Sequence, residues 1–486
     1  MNTTNVHAIV SGHRNGLTMR LLRILITTFA ATILLAGFST RASAAGVRLP
    51  DSRSITLDNG ATLILVQRKD VPLVSATALI RGGSLADPQG KEGSADLLAS
   101  LMSQGAGSRD ALAFAQAVDG AGGSLTIGSD RDAIIASAQF LSKDSALMLS
   151  LLADALLRPR MEQAEFDKLR QRAIDGIIAA KDSDPRQLIG TYMDAWLFLG
   201  HPYGRPSGGD ETSLARIGLD DLQAFRHEQM GGDRLILVIA GDFDPEAVTA
   251  QVRAEFGSWA RAQGTLPQLA AKAPETGRRV LLIDKPGATQ TYFALANVGT
   301  SRDDPARAAQ DIVNTAFGGR FTSMLNTELR VKSGLTYGAG ARLDRQRMPG
   351  SAMIGTYTKT DSTREAIDLT IATLDRLHRD GLDAATVQSA RNYIAGQFAP
   401  RLETASQVGT SLAWLRLYGE PNDYIDGYLD AVAAATPEQV SAARAVFPDS
   451  KNLVIVAIGD AGKIRSLLQA YGPVTEMRLS DPHFSP

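Results

Sequence analysis

Short, nearly unbroken apolar runs punctuate this chain. Thr62–Gln67, Val74–Arg81, the stretch Leu-Ile-Leu-Val-Ile-Ala after Arg234 and the stretch Leu-Val-Ile-Val-Ala-Ile after Asn452 all read as buried strands. Further strands are expected at Ser54–Leu57 and Thr291–Ala296. Between them, Gln163–Ala180 and Ala384–Phe398 follow the helical period and predict two long amphipathic helices. Strands grouped beside long helices, without regular strand–helix alternation, predict an α+β class in which a mixed sheet is layered with helices.

The pattern repeats. Gly218-Leu-Asp-Asp-Leu precedes Asp233-Arg-Leu-Ile-Leu-Val-Ile-Ala-Gly-Asp, and Thr436-Pro-Glu-Gln-Val precedes Lys451-Asn-Leu-Val-Ile-Val-Ala-Ile-Gly-Asp. Gly218 to Thr436 and Gly241 to Gly459 are both offsets of 218 residues. Each block predicts a short helix, a buried strand ending at a Gly-Asp turn, and a second helix (Pro245–Phe256; Gly462–Tyr471). Two homologous halves follow, residues 49–262 and 278–475. The Pro-, Gly- and Ala-rich stretch 263–277 reads as the linker between them. The Gly-rich stretch Gly105–Gly128 lacks a phosphate-loop pattern and reads as turns and tight packing.

The first residues stand apart. Arg20 and Arg23 precede an apolar run from Ile24 to about Phe38, and Ala42-Ser43-Ala44 offers small residues for cleavage. Residues 1–44 therefore read as a secretory signal peptide, which predicts a periplasmic protein without a stable membrane span after cleavage. Removing the leader takes four arginines from the 50 basic residues and leaves 52 acids, a net charge of −6. That balance gives no footprint for nucleic acid. The absence of cysteine excludes disulfides, thiolate metal sites and cysteine nucleophiles.

Two segments carry candidate chemistry. Gly93-Ser-Ala-Asp96-Leu-Leu-Ala99-Ser100-Leu-Met-Ser-Gln-Gly105 is an amphipathic helix by spacing, with Gly105 where a C-terminal cap belongs. The second is Phe317-Gly-Gly-Arg-Phe-Thr-Ser-Met-Leu-Asn-Thr-Glu-Leu-Arg330-Val-Lys-Ser-Gly-Leu-Thr-Tyr337-Gly. Taken alone, Arg330 would pair with a neighbour such as Glu328 and Tyr337 would be a strand aromatic. Outside the leader only His201, His227, His378 and His483 remain, with no pair close enough to bind a metal locally.

Both segments resemble the M16 (pitrilysin/insulinase/mitochondrial processing peptidase-like) family of metallopeptidases, most closely its M16B type. The second matches G-G-x-F-x-S-x-L-x-x-x-L-R-x-K-x-G-L-x-Y. The first keeps the frame of G-x-x-H-x-x-E-H, but Asp96, Ala99 and Ser100 stand at the two zinc-binding histidines and the water-activating glutamate. The position of the third ligand falls near Gly176 and Ile177, with Asp175 displaced from it.

The resemblance implies a clamshell of two LuxS/MPP-like metallohydrolase halves with no cofactor in this chain. Zinc would sit in a separate M16B partner subunit, forming a heterodimer that hydrolyses peptides or unfolded proteins. Arg330 would hold a substrate carbonyl and Tyr337 would donate to the oxyanion, with Gly318, Gly319 and Phe321 at the substrate. A stationary donor aimed at developing charge lowers a barrier by about 3 kcal/mol. The other reading is a catalytically inert M16-like scaffold or peptide-binding protein.

Overall fold

The computed structural model describes residues 47–486, and Arg48–Pro486 form one compact unit. The proposed leader lies outside the described residues. Among those described, no helix is long and apolar enough to cross a membrane.

Among the described residues, twelve strands build two six-stranded mixed sheets. In the first, β1 (Arg53–Thr56), β2 (Thr62–Gln67), β3 (Leu73–Arg81), β4 (Ser124–Ser129), β5 (Ala133–Leu141) and β6 (Leu235–Gly241) lie in the order β1-β2-β6-β3-β5-β4. In the second, β7 (Arg279–Asp284), β8 (Gln290–Val298), β9 (Ala339–Arg345), β10 (Pro349–Lys359), β11 (Val454–Gly459) and β12 (Val474–Arg478) lie in the order β12-β7-β11-β8-β10-β9. In each half a late strand enters between two early ones, β6 between β2 and β3 and β11 between β7 and β8. It runs parallel to one (β6 on β2, β11 on β7) and antiparallel to the other. The expected duplication is therefore present strand for strand, except at one edge. There β1 pairs antiparallel with β2, whereas β12 pairs parallel with β7.

The Gly-Asp turn that ends β6 has a steric cause. Gly241 takes a φ of 128°, and a Cβ there would lie 2.2 Å from the Leu73 carbonyl oxygen.

The central strands are apolar on both faces because both faces are covered. One face of the first sheet packs on helices of its own half, including Leu97, Leu98 and Leu101 of Ser94–Met102. The other face, with Ile64, Val66, Leu79, Ile236 and Val238, packs on Val408, Leu412, Ala413 and Leu415. Those four belong to the helix Ala405–Tyr418, which comes from the second half of the sequence. Reciprocally, Tyr192, Met193, Trp196 and Leu197 of the helix Ile189–Leu197 cover Leu281, Ile283, Ala294 and Ala296 of the second sheet. Each half thus completes the core of the other.

The connection over residues 263–277 has no regular element, yet it is tied down. Ala270 O lies 2.8 Å from His201 Nε2, and Asn297 exchanges two hydrogen bonds with the Glu275 backbone. His201 also accepts the Tyr203 N–H at Nδ1, so both ring nitrogens are engaged in holding loops.

The stretch Gly105–Gly128 departs from its expected turns. It contains a helix, Ala111–Gly120, capped by Asp110 through the Ala113 N–H, and then the start of β4. The glycines mark the ends of these elements, while Ala-Leu-Ala-Phe-Ala-Gln-Ala-Val between them favours helix.

Candidate functional site

The segment carrying Arg330 and Tyr337 is held in place by its flanking residues. The helix Arg307–Phe317 ends at Gly318, whose carbonyl accepts the Ala341 N–H of β9 at 3.2 Å. A Cβ on Gly318 would lie 2.3 Å from the Ala341 nitrogen, so only glycine permits this approach. Gly319 is exposed beside it.

A short helical turn, Met324–Asn326, then widens into a π-helical turn over Thr327–Lys332, with the Ser333 N–H reaching the Glu328 carbonyl at 3.2 Å. Such an inserted residue shifts the side chains that follow around the axis and recurs at functional sites. Leu325 and Leu329 are fully buried and anchor the turn.

Asn326 ties the loop together. Its Nδ2 donates to the Phe321 carbonyl at 2.7 Å, and its Oδ1 accepts the Ala339 N–H at 3.3 Å. After Gly334 reverses the chain with a φ of 66°, Thr358 and Thr356 of β10 donate to the Leu335 and Gly338 carbonyls at 2.7 and 2.9 Å.

The result is a stack of three side chains. The Arg330 guanidinium carbon sits 4.7 Å from the Phe321 ring centre and 4.6 Å from that of Tyr337. Attraction of a cation to two ring faces fixes a side chain that would otherwise sample many rotamers. Phe321 is 59% and Tyr337 75% exposed, so the stack is open to an incoming molecule. Glu328 does not pair with Arg330. It binds Lys332 and Arg376, each at 2.9 Å. Burial pulls its carboxyl upward, but these two cations hold it below its ordinary value. Among the described residues no carboxylate pairs with Arg330, which leaves its donor fork available for a carbonyl.

The other segment forms the helix Ser94–Met102, with Ser103 as its C-terminal cap. Gly105 lies two residues beyond the cap, at a φ of 98°, rather than at it. The last helical turn is tied off instead by the Ser103 hydroxyl donating to the Ser100 carbonyl at 2.7 Å and the Gln104 N–H donating to the Leu101 carbonyl at 2.9 Å.

Of the three positions of interest, Ala99 is fully buried in the core. Asp96 accepts from the Ser129 hydroxyl at 3.3 Å, and burial raises its carboxyl above the ordinary value. Ser100 is half-buried. On the neighbouring long helix, Gln163–Ser183, Asp175 accepts from Gln171 at 2.9 Å. One half-buried carboxyl, a methyl and a hydroxyl do not fit zinc, which takes imidazole, thiolate or ionised carboxylate donors. Among the described residues no three His, Asp or Glu side chains come together as a ligand set. No hydrogen bond or ion pair among them joins these positions to the Arg330 stack.

The helix is nevertheless firmly started. Both oxygens of the buried Asp87 carboxylate accept buried backbone donors, the Gly93 and Ala95 N–H groups, each at 2.8 Å. Replacing Asp87 by Ala strands two N–H groups, and the unfolding free energy is expected to fall by about 2–4 kcal/mol in a urea titration. An unchanged midpoint would mean that the helix start is held some other way.

The sequence pattern did not point to Asn326, Thr356, Thr358 or Arg376. The Thr-x-Thr alternation on β10, which aims two hydroxyls at one side, is the one local signal for them.

Two family models match the chain. One, described as "Insulinase (Peptidase family M16)", matches residues 63–211; the other, "Peptidase M16 inactive domain", matches residues 216–394. An uncharacterized zinc protease of Mycobacterium tuberculosis is 27% identical over 423 residues, covering 86% of this chain and 95% of that protein. A Helicobacter pylori protein named a non-peptidase homolog is 21% identical over 361 residues, 74% of this chain and 82% of its own length. Among solved structures, a peptidase M16 inactive domain from Pseudomonas fluorescens superposes with a TM-score of 0.78 at 24% identity, covering 84% of this chain and 98% of that one. A protease from Helicobacter pylori gives 0.77 at 18% identity, covering 85% and 100%.

Proposed function

Because the chain belongs to the M16 peptidase family, we propose that it is the zinc-free subunit of a heterodimeric peptidase, lending Arg330 and Tyr337 to the zinc site of a sister chain. The observation that carries this reading is the contrast between the two segments. Arg330 is held between two exposed rings without a carboxylate partner, while Asp96, Ala99 and Ser100 cannot furnish a zinc site or a general base.

In this reading the sister chain brings the zinc. The Arg330 fork receives a substrate carbonyl, and the Tyr337 hydroxyl donates to the oxygen that gains charge as the peptide bond is attacked. Phe321 and the exposed Gly319 border the same stack and face the bound peptide or unfolded protein. The leader-like start, with Arg20 and Arg23 before its apolar run, supports export to the periplasm.

A second reading, an inert scaffold, draws support from the Helicobacter pylori relative that is named a non-peptidase homolog. Co-expression with an H-x-x-E-H chain of the same family separates the two. The heterodimer reading expects a one-to-one complex in size-exclusion light scattering that hydrolyses unfolded peptides. No complex, or a complex without turnover, would favour the scaffold.

A further inference from the structure

Away from the Arg330 stack, a cavity of about 420 Å³ opens where the two halves meet. A second volume of about 480 Å³ shares Arg302, Arg307, Arg345, Phe398, Arg401 and Tyr424 with it and extends to Gly319. Four guanidinium groups on an aromatic lining are unusual for a packing defect, and they are not equivalent.

Arg302 is neutralised by Glu420, with Nε and Nη2 at 2.9 and 3.0 Å from its two oxygens. Arg345 is neutralised by Asp311 at 2.7 Å. Arg307 has no such partner among the described residues. Its Nη1 donates to the Tyr424 carbonyl at 2.8 Å, and its guanidinium carbon lies 3.6 Å from the Tyr424 ring centre and 4.5 Å from that of Tyr428. Arg401, exposed at the rim, is also without a carboxylate partner among them. Asp130 faces the cluster from the first half. It accepts the Arg131 N–H at 2.6 Å, and burial raises its carboxyl toward the neutral form.

A partly desolvated guanidinium held flat by rings, with donors to spare and no carboxylate in direct contact (the nearby Asp311 is engaged by Arg345 and Tyr428), gains from an incoming anion. The planar fork selects a carboxylate, which it can bind through two parallel hydrogen bonds. Phe398, Trp414 and Tyr418 give the remaining space an apolar wall suited to a side chain. We propose that this cavity receives the free C-terminal carboxylate of a peptide, with Arg307 at its base and Arg401 at its mouth. The choice of a peptide rests on the function proposed above, since the cavity reaches Gly319 in the same segment. The carboxylate chemistry rests on the arginines alone.

The test uses the isolated full-length chain and needs neither partner nor zinc. Trp414 lines the cavity, so its fluorescence reports occupancy, with Trp414→Phe as the control. The titrants are N-acetyl-Ala-Ala-Ala-Phe as free acid, the same peptide as its amide, an amidated peptide with an internal Glu, and inorganic phosphate. The free acid is expected to bind at least about tenfold more tightly than the amide, the advantage of a charge-assisted pair. Arg307→Gln and the rim variant Arg401→Gln should each abolish that preference, and the rim variant carries the test if the first does not fold.

Equal binding of acid and amide, or equal binding of the internal-Glu peptide or of phosphate, overturns the assignment. Complex formation by Arg401→Gln with the zinc-bearing chain is scored separately, so a failed pairing and a failed carboxylate site are told apart.

Discussion

Tyr337→Phe in the assembled pair is expected to lower kcat by at least about tenfold, on the order of 1.4 kcal/mol in the barrier. The complex should form as before. The reasoning is geometric. The Tyr337 ring is 75% exposed and contributes no core packing, so removing its hydroxyl leaves the ring stack over Arg330 in place. What disappears is a donor whose worth is realised only as charge develops, so the loss belongs in kcat rather than in KM. Arg330→Ala removes both the fork and the group that Phe321 and Tyr337 embrace, and is expected to raise KM as well as lower kcat. Steady-state kinetics on both variants checks this. Unchanged turnover in the two would leave the stack without a chemical part.

The second large effect concerns the exchanged helices. Residues 47–262 expressed alone lack Ala405–Tyr418 and would expose Ile64, Val66, Leu79, Ile236 and Val238. Burying one such side chain is worth about 1.5–3 kcal/mol, so losing the cover from five removes about 7.5–15 kcal/mol, as much as the 5–15 kcal/mol that a typical domain has in hand. The fragment is expected to be insoluble, and co-expression with residues 278–486 should restore it. In the intact chain, Leu412→Ala, at a fully buried position in that contact, should cost about 3 kcal/mol in a denaturant titration. A soluble, cooperatively melting fragment would show that the exchanged helix is not needed to close the core.

Much of this architecture was legible along the chain. The shared offset of 218 residues, from Gly218 to Thr436 and from Gly241 to Gly459, disclosed a duplication that the two sheets repeat, each with a late strand inserted between two early ones, although of the two glycines only Gly241 takes a positive φ. The helix Ala384–Phe398 and the strand Thr62–Gln67 lie where their periods put them, since each owes its pattern to its own buried face.

What stayed hidden depends on contacts distant in sequence. Tyr192, Met193 and Trp196 look like any apolar helix face, and nothing in their spacing says that they cover the second sheet. The strands betray burial on two faces but not which half supplies the cover. In the Gly105–Gly128 stretch, glycines at the element ends masked the helix Ala111–Gly120 between them.

At the candidate site, the spacing of Phe321, Arg330 and Tyr337 does not disclose that they stack. The approach depends on a π turn and on Asn326, Thr356 and Thr358, which hold main-chain groups rather than forming a recognisable pattern.

A combined assay of metal content and peptide turnover on the purified chain, alone and with a zinc-bearing sister, bears most directly on the division of labour proposed here. The account predicts that the chain alone carries no stoichiometric zinc and cleaves nothing, and that turnover arises only in the mixture and vanishes on adding a chelator. Stoichiometric zinc in the chain alone, together with peptide cleavage at an ordinary enzymatic rate, would contradict it.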